Sequence, residues 1–88
     1  MKTKQKKTFV VIGAKWFDSV NGNTYHNAKI IDAETQKTYY CGYQYGYGSQ
    51  YLTSAKEYIE SMLKETEYIL IDAGAFYIKK SACVKGWF

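Results

Sequence analysis

Residues 8–17 (TFVVIGAKWF) fill both phases of a two-residue period with β-branched, aromatic and small residues. Val10, Ile12, Ala14 and Trp16 fall on one side, and Phe9, Val11, Gly13 and Phe17 on the other, so this stretch reads as a strand with apolar residues on both faces. The polar run behind it, DSVNGNTYHN, holds Asn21-Gly22, a strong hairpin signal because both central residues of a type I′ turn need positive φ. A second strand is expected over residues 24–32. With a two-residue turn, Trp16 stands opposite Asn27, Phe17 opposite His26 and Ile12 opposite Ile31, and a one-residue slip would exchange the faces. After the polar turn AETQ, residues 37–45 (KTYYCGYQY) resume the alternation and predict a third antiparallel strand. In it Tyr39, Cys41, Tyr43 and Tyr45 share one face against Thr38, Tyr40, Gly42 and Gln44.

From Gln50 the period changes, and Leu52, Ala55, Ile59 and Met62 or Leu63 recur at helical spacing. Ser49 can cap this helix, and Ser54-Ala55-Lys56-Glu57 offers a capping box one turn later. The pattern ends near Glu65. Residues 68–71 (YILI) suit either a further helical turn or a short buried strand, Asp72-Ala73-Gly74 reads as a turn, and residues 76–84 (FYIKKSACV) as a last strand. The expected architecture is α+β: a three-stranded antiparallel meander, one main helix packed on one face and a closing C-terminal strand. A chain of 88 residues has room for one core, so residues 8–88 are read as a single domain behind a flexible basic arm, residues 1–7 (MKTKQKK).

That arm changes the meaning of the charge. The formal net charge is +4, yet Lys2, Lys4, Lys6 and Lys7 all lie in the arm. The remaining eight lysines balance eight acids, so the folded body is neutral. All the basic residues are lysine, and without arginine the body lacks the planar fork that reads phosphates and guanine edges bidentately. Sequence-specific DNA recognition is not expected. The acids concentrate between Glu57 and Asp72, whereas Lys79, Lys80 and Lys85 make the final segment basic. The apolar run after the arm is too short for a signal peptide, and no segment is long enough to span a membrane. The expected location is therefore cytoplasmic, with no membrane partner.

Candidate chemistry is sparse. Cys41, Cys83 and His26 fall one short of the usual four ligands of a structural zinc site, so no metal or other cofactor is expected. A nucleophile, base and orienter can be named only as Cys41 or Ser49 with His26 and Asp18 or Asp32, without a motif around them. No enzymatic activity is expected. The conspicuous segment is instead CGYQYGYGSQY, residues 41–51. Its tyrosines suit either a protein interface or the stacking of bases, and its glycines equally suit a plain bend into the helix. Gly46-Tyr47-Gly48-Ser49 at a helix start also offers free N–H groups to an anion, without the lysine of a P-loop.

Lys15-Trp16-Phe17-Asp18, then Gly22-Asn23-Thr24-Tyr25-His26, then Tyr45-Gly46-Tyr47-Gly48-Ser49-Gln50-Tyr51 before a helix resemble a group of small proteins encoded by tailed phages and prophages. These carry a similar W-F, G-N-T-Y-H and Y-G-Y-G-x-x-Y order. The likeness covers residues 9–63 and fades after the helix. It implies a phage origin, host cytoplasm as the location, and stoichiometric binding to a host or phage protein complex as the mode of action. The partner-binding residues expected on this reading are Tyr39, Tyr43, Tyr45, Tyr47, Gly46, Gly48 and Ser49, helped by Trp16 and Trp87 where exposed. The alternative is single-stranded nucleic-acid binding by a tyrosine-rich sheet face, with Lys2, Lys4, Lys6 and Lys7 as an electrostatic tether. Homodimerisation through the final strand or the Trp87-Phe88 end is a further expectation.

Overall fold

The computed structural model describes residues 6–88; Lys2, Lys4 and the rest of residues 1–5 lie outside them. β1 (Lys7–Asp18) and β2 (Asn23–Asp32) form the antiparallel hairpin at the centre. Its loop has four residues rather than two. The Asp18 carboxylate accepts from the Val20 and Asn21 N–H groups at 3.0 and 3.3 Å, and Gly22 N–H donates to the Asp18 carbonyl at 2.7 Å. This local turn chemistry displaces the expected two-residue turn. Trp16 consequently faces Tyr25, and Ile12 faces Lys29. The register moves by two residues, so each side chain keeps its expected face.

The expected third strand is broken. β3 (Thr38–Tyr40) and β4 (Gln44–Tyr45) both pair antiparallel with β2, and β5 (Tyr68–Tyr77) pairs with β1 in parallel. The sheet is thus mixed, in the order β3-β2-β1-β5, with β4 also on β2. Residues 72–74 are not a turn: they sit inside β5 as an irregularity, where β1 advances from Val11 to Gly13 while β5 advances from Asp72 to Ala75. The expected final strand survives only as Phe76 and Tyr77. Beyond it lies a short helix, α2 (Lys80–Lys85), ended by Gly86 in the left-handed conformation.

The main helix, α1 (Gln50–Met62), packs on one face of the sheet. Tyr51, Ala55 and Ile59, spaced four apart, meet Phe9 and Val11 of β1 and Ala28 and Ile30 of β2 in the core. The buried stripe is rotated by a residue from the expected one: Tyr51 is buried, Leu52 half-buried and Met62 exposed. Gly13 explains the rotation. A methyl group there would stand 2.6 Å from the Tyr51 ring and 2.8 Å from Ala75 Cβ, so the ring lies on backbone that any side chain would fill. Its phenol donates to Asp72 at 2.8 Å, and burial with that carboxylate pushes Tyr51 up to about 12.

On the other face α2 covers only one end. Cys83 lies under Ala14, its thiol 3.6 Å from the Ala14 carbonyl, and Asn27 Nδ2 donates to the Cys83 carbonyl at 2.8 Å. Phe88 packs edge-on against Tyr40 and Phe76. No described helix is long and apolar enough to cross a membrane.

Candidate functional site

The broken strand decides where the tyrosines point. Between Lys29 and His26, β2 spans four residues; the chain opposite runs from Tyr40 to Gln44 and carries one more. One extra residue reverses the alternation. Tyr39, opposite Ile30, therefore faces α1, whereas Tyr45, opposite Tyr25, faces away from it. The two tyrosines expected on a single face lie on opposite ones. Gly42 (φ 100°) supplies the left-handed residue of the break, and Asn27 closes it with its side chain, accepting from the Gly42 N–H at 3.1 Å.

Tyr39 is half-buried with its ring tilted against Tyr58 of α1, so it belongs to the core side. Tyr43 is half-buried and stacks on Tyr25, centroids 5.2 Å apart at 11°. Trp16 stacks on the Tyr25 ring as well at 5.8 Å, and Tyr45 meets that ring edge-on at 5.6 Å. Lys80 Nζ lies 5.2 Å from the Trp16 ring. Tyr25 thus becomes the hub of a four-ring cluster. The cluster leaves Tyr45 61% and Tyr47 71% exposed at its rim. Gly48 and Ser49 are exposed beside them, and an open groove of about 520 Å³ runs along residues 45–50. Ser49 occupies the N-cap position without a side-chain cap bond. Trp87 is exposed but belongs to the C-terminal end, where Lys85 lies over its ring at 4.7 Å.

Gly46 is not part of that exposed rim. It is buried at φ 154°, and a Cβ there would stand 2.9 Å from His26 Cε1. His26 is itself fully buried. Its Nδ1 is 3.1 Å from the Gly46 carbonyl and its Nε2 is 2.7 Å from Ser54 Oγ. Since a carbonyl only accepts, Nδ1 carries the proton and the Ser54 hydroxyl donates to Nε2. Burial first, then the Lys15 ammonium, hold the imidazole below the usual histidine range, against the Gly46 carbonyl, which favours the charged form. Gln44 Oε1, 3.1 Å from Ser54 Oγ, competes with Nε2 for the single hydroxyl proton. This cluster pins β4 and the Gly46 loop to α1.

The residues named for catalysis are not assembled. Ser54, not Cys41 or Ser49, is the hydroxyl at His26, and it is buried. Asp18 closes the β1–β2 loop. Asp32 accepts from the Glu34 and Thr35 N–H groups at 2.9 and 3.2 Å and pairs with Lys7 at 3.2 Å. Burial would push the Asp32 carboxyl up, but those N–H groups and the Lys7 ammonium outweigh it and hold it low. Both cysteines are free thiols; burial pushes Cys41 up and Cys83 to about 11. Such thiols are poor nucleophiles at neutral pH. Of the four lysines read as an arm, Lys7 opens β1 and bonds Asp32, while Lys6 is exposed.

The sequence pattern does not single out Tyr25, Ser54, Asn27 or Lys80 as parts of this site. Tyr25 had a local signal, since it alternates with His26 next to the turn; the other three act only through contacts distant in sequence. No protein-family model, curated protein or solved structure matches the chain.

Proposed function

We propose that this chain is a non-enzymatic binding protein of phage or prophage origin that acts stoichiometrically on a host or phage protein complex. The anchors are Tyr45 and Tyr47, with Gly48 and Ser49 lining the groove beside them. The observation that carries the reading is the exposure of these two tyrosines on a rim that is otherwise fixed. Tyr45 leans on the Trp16–Tyr25–Tyr43 stack, and the loop between them is held by His26 through Gly46. Large rings presented by a rigid support lose little entropy on contact, which is the property of interface anchors. Tyr43 and Tyr39 act as support rather than as contacts. The faces of Trp16 and Tyr25 are already engaged within the cluster, which leaves few free ring faces for a run of bases.

The test is affinity capture from bacterial host lysate with the wild-type chain and with Tyr45→Ala combined with Tyr47→Ala, beside fluorescence anisotropy of a labelled oligothymidine. A near-equimolar protein retained by the wild type and lost with the double variant, at unchanged melting temperature, is the expected result. Equal capture by both chains would remove these tyrosines from the interface. Oligothymidine binding that survives physiological salt and is lost in the double variant would reassign the surface to single-stranded nucleic acid.

A further inference from the structure

We propose that β5 is a dimerisation edge, pairing antiparallel with β5 of a second copy of this chain at the side of the sheet away from the tyrosines. β5 is the outermost strand and has β1 as its only partner among the described residues, so the N–H and C=O groups of its far side form an open row. Soluble proteins usually blunt such an edge with lysine, proline or very short strands. The opposite edge obeys that rule, with strands of three and two residues separated by a break. β5 is ten residues long, YILIDAGAFY, without lysine or proline. Its one charge, Asp72, is occupied internally by the Tyr51 hydroxyl and the Gly74 N–H, each at 2.8 Å.

The side chains and flanking charges make this edge complementary to itself. Ile69 stands beside Thr8 and Phe76 beside Ala14, so the irregularity at residues 72–74 brings both onto the same face, where they are 50% and 43% exposed. Tyr68, beside Lys7, and Tyr77, beside Lys15, share the opposite face. An antiparallel register with Tyr68 opposite the partner's Tyr77 therefore puts Ile69 opposite the partner's Phe76, apolar on apolar. It also sets the acid just before the strand, Glu67, beside the lysine just after it, Lys79, at both ends; Glu65 is turned inward to Lys7 at 3.9 Å and Lys80 lies over Trp16. A parallel pairing would set like charges together. The two-fold axis stands perpendicular to the sheet, leaving both α1 helices on one side and joining the half-exposed Ile69, Ile71, Val10 and Ile12 of each copy into one strip.

The experiment is sedimentation equilibrium of the full chain over a range of concentrations, with far-UV circular dichroism and melting as fold controls. The wild type should be a concentration-dependent dimer, and Ile69→Lys a folded monomer. Lys79→Glu should weaken the dimer by roughly fivefold, as loss of an exposed ion pair at each of the two ends does. Adding Glu67→Lys to that chain should recover most of the loss. A wild-type monomer throughout, open-ended oligomers, an Ile69→Lys dimer of undiminished affinity, or charge reversal without recovery would each overturn the proposal. None of these readouts involves Tyr45 or Tyr47, so the tyrosine rim and the β5 edge stand or fall separately.

Discussion

The two faces of the β1–β2 hairpin are built from similar residues and meet different fates. On the α1 face Phe9, Val11, Ala28 and Ile30 are at most 1% exposed; on the other, Val10, Ile12 and Ile31 remain half-open. Hydrophobicity does not separate the two sets. Cover length does. At 1.5 Å per residue, α1 is about 20 Å long and α2 about 9 Å, whereas β1 extends for about 40 Å. A strand that is apolar on both sides demands two covers, and the cover on one side is about twice as long as that on the other. What is left over is the strip that runs to Ile69 and Ile71 on β5.

The largest expected effect tests that asymmetry directly. Ile59→Ala empties the centre of the α1 face and should cost about 2–5 kcal/mol of unfolding free energy, read from urea midpoints. Ile71→Ala, at 48% exposure on the other face, should cost less than about 1 kcal/mol in dilute solution. A comparable loss from Ile71→Ala would show the second face to be covered in solution, and the two faces would be sealed alike at that concentration.

Next in size is Gly13→Ala. The added methyl group meets the Tyr51 ring and Ala75 at once, and displacing a packed ring costs about 1–3 kcal/mol. Combining it with Tyr51→Leu should return part of that loss as a favourable coupling in a double-mutant cycle. Strict additivity would mean that Tyr51 and Gly13 are not the contact that sets the helix rotation.

These sites also mark where the fold was legible. β1, β2 and α1 announce themselves through local periodicity, and their observed limits differ from the patterns by one residue at most strand ends and by about one turn at the helix end. The β1–β2 register was not legible from Asn21-Gly22, because Asp18, three residues before Asn21, could cap a longer loop. The C-terminal part failed for a different reason. Parallel pairing of β5 with β1 has no local signature, and Asp72-Ala73-Gly74 carries turn chemistry whether it ends a strand or bulges within one. For α2 the one local mark was Gly86, a helix stop just past Lys85. In the candidate site, the tyrosines were visible but their faces were not, since one extra residue near Gly42 sent Tyr39 and Tyr45 to opposite sides.

The smallest expected effect comes from the neighbours His26 and Asn27, which serve the two faces in parallel. His26 ties the Gly46 loop to α1, and Asn27 ties the break at Gly42 to α2 through Cys83. Only one of them titrates. Because burial and the facing Lys15 lower the His26 pKa in the folded chain, the unfolded chain takes up the proton first, and stability rises with pH across that window. The contribution is fully present above the ordinary histidine value of about 6.5 and is lost as pH falls through it toward the folded value. Asp32 acts in a separate window, below about 4, because its carboxyl is also held low. Urea midpoints should therefore fall between neutral pH and about pH 5 in the wild type. In His26→Gln they should start lower and stay flat over the same range, while Asn27→Ala should lower them without changing the slope. A slope that persists in His26→Gln would place the titrating group elsewhere than at the tie between the Gly46 loop and α1.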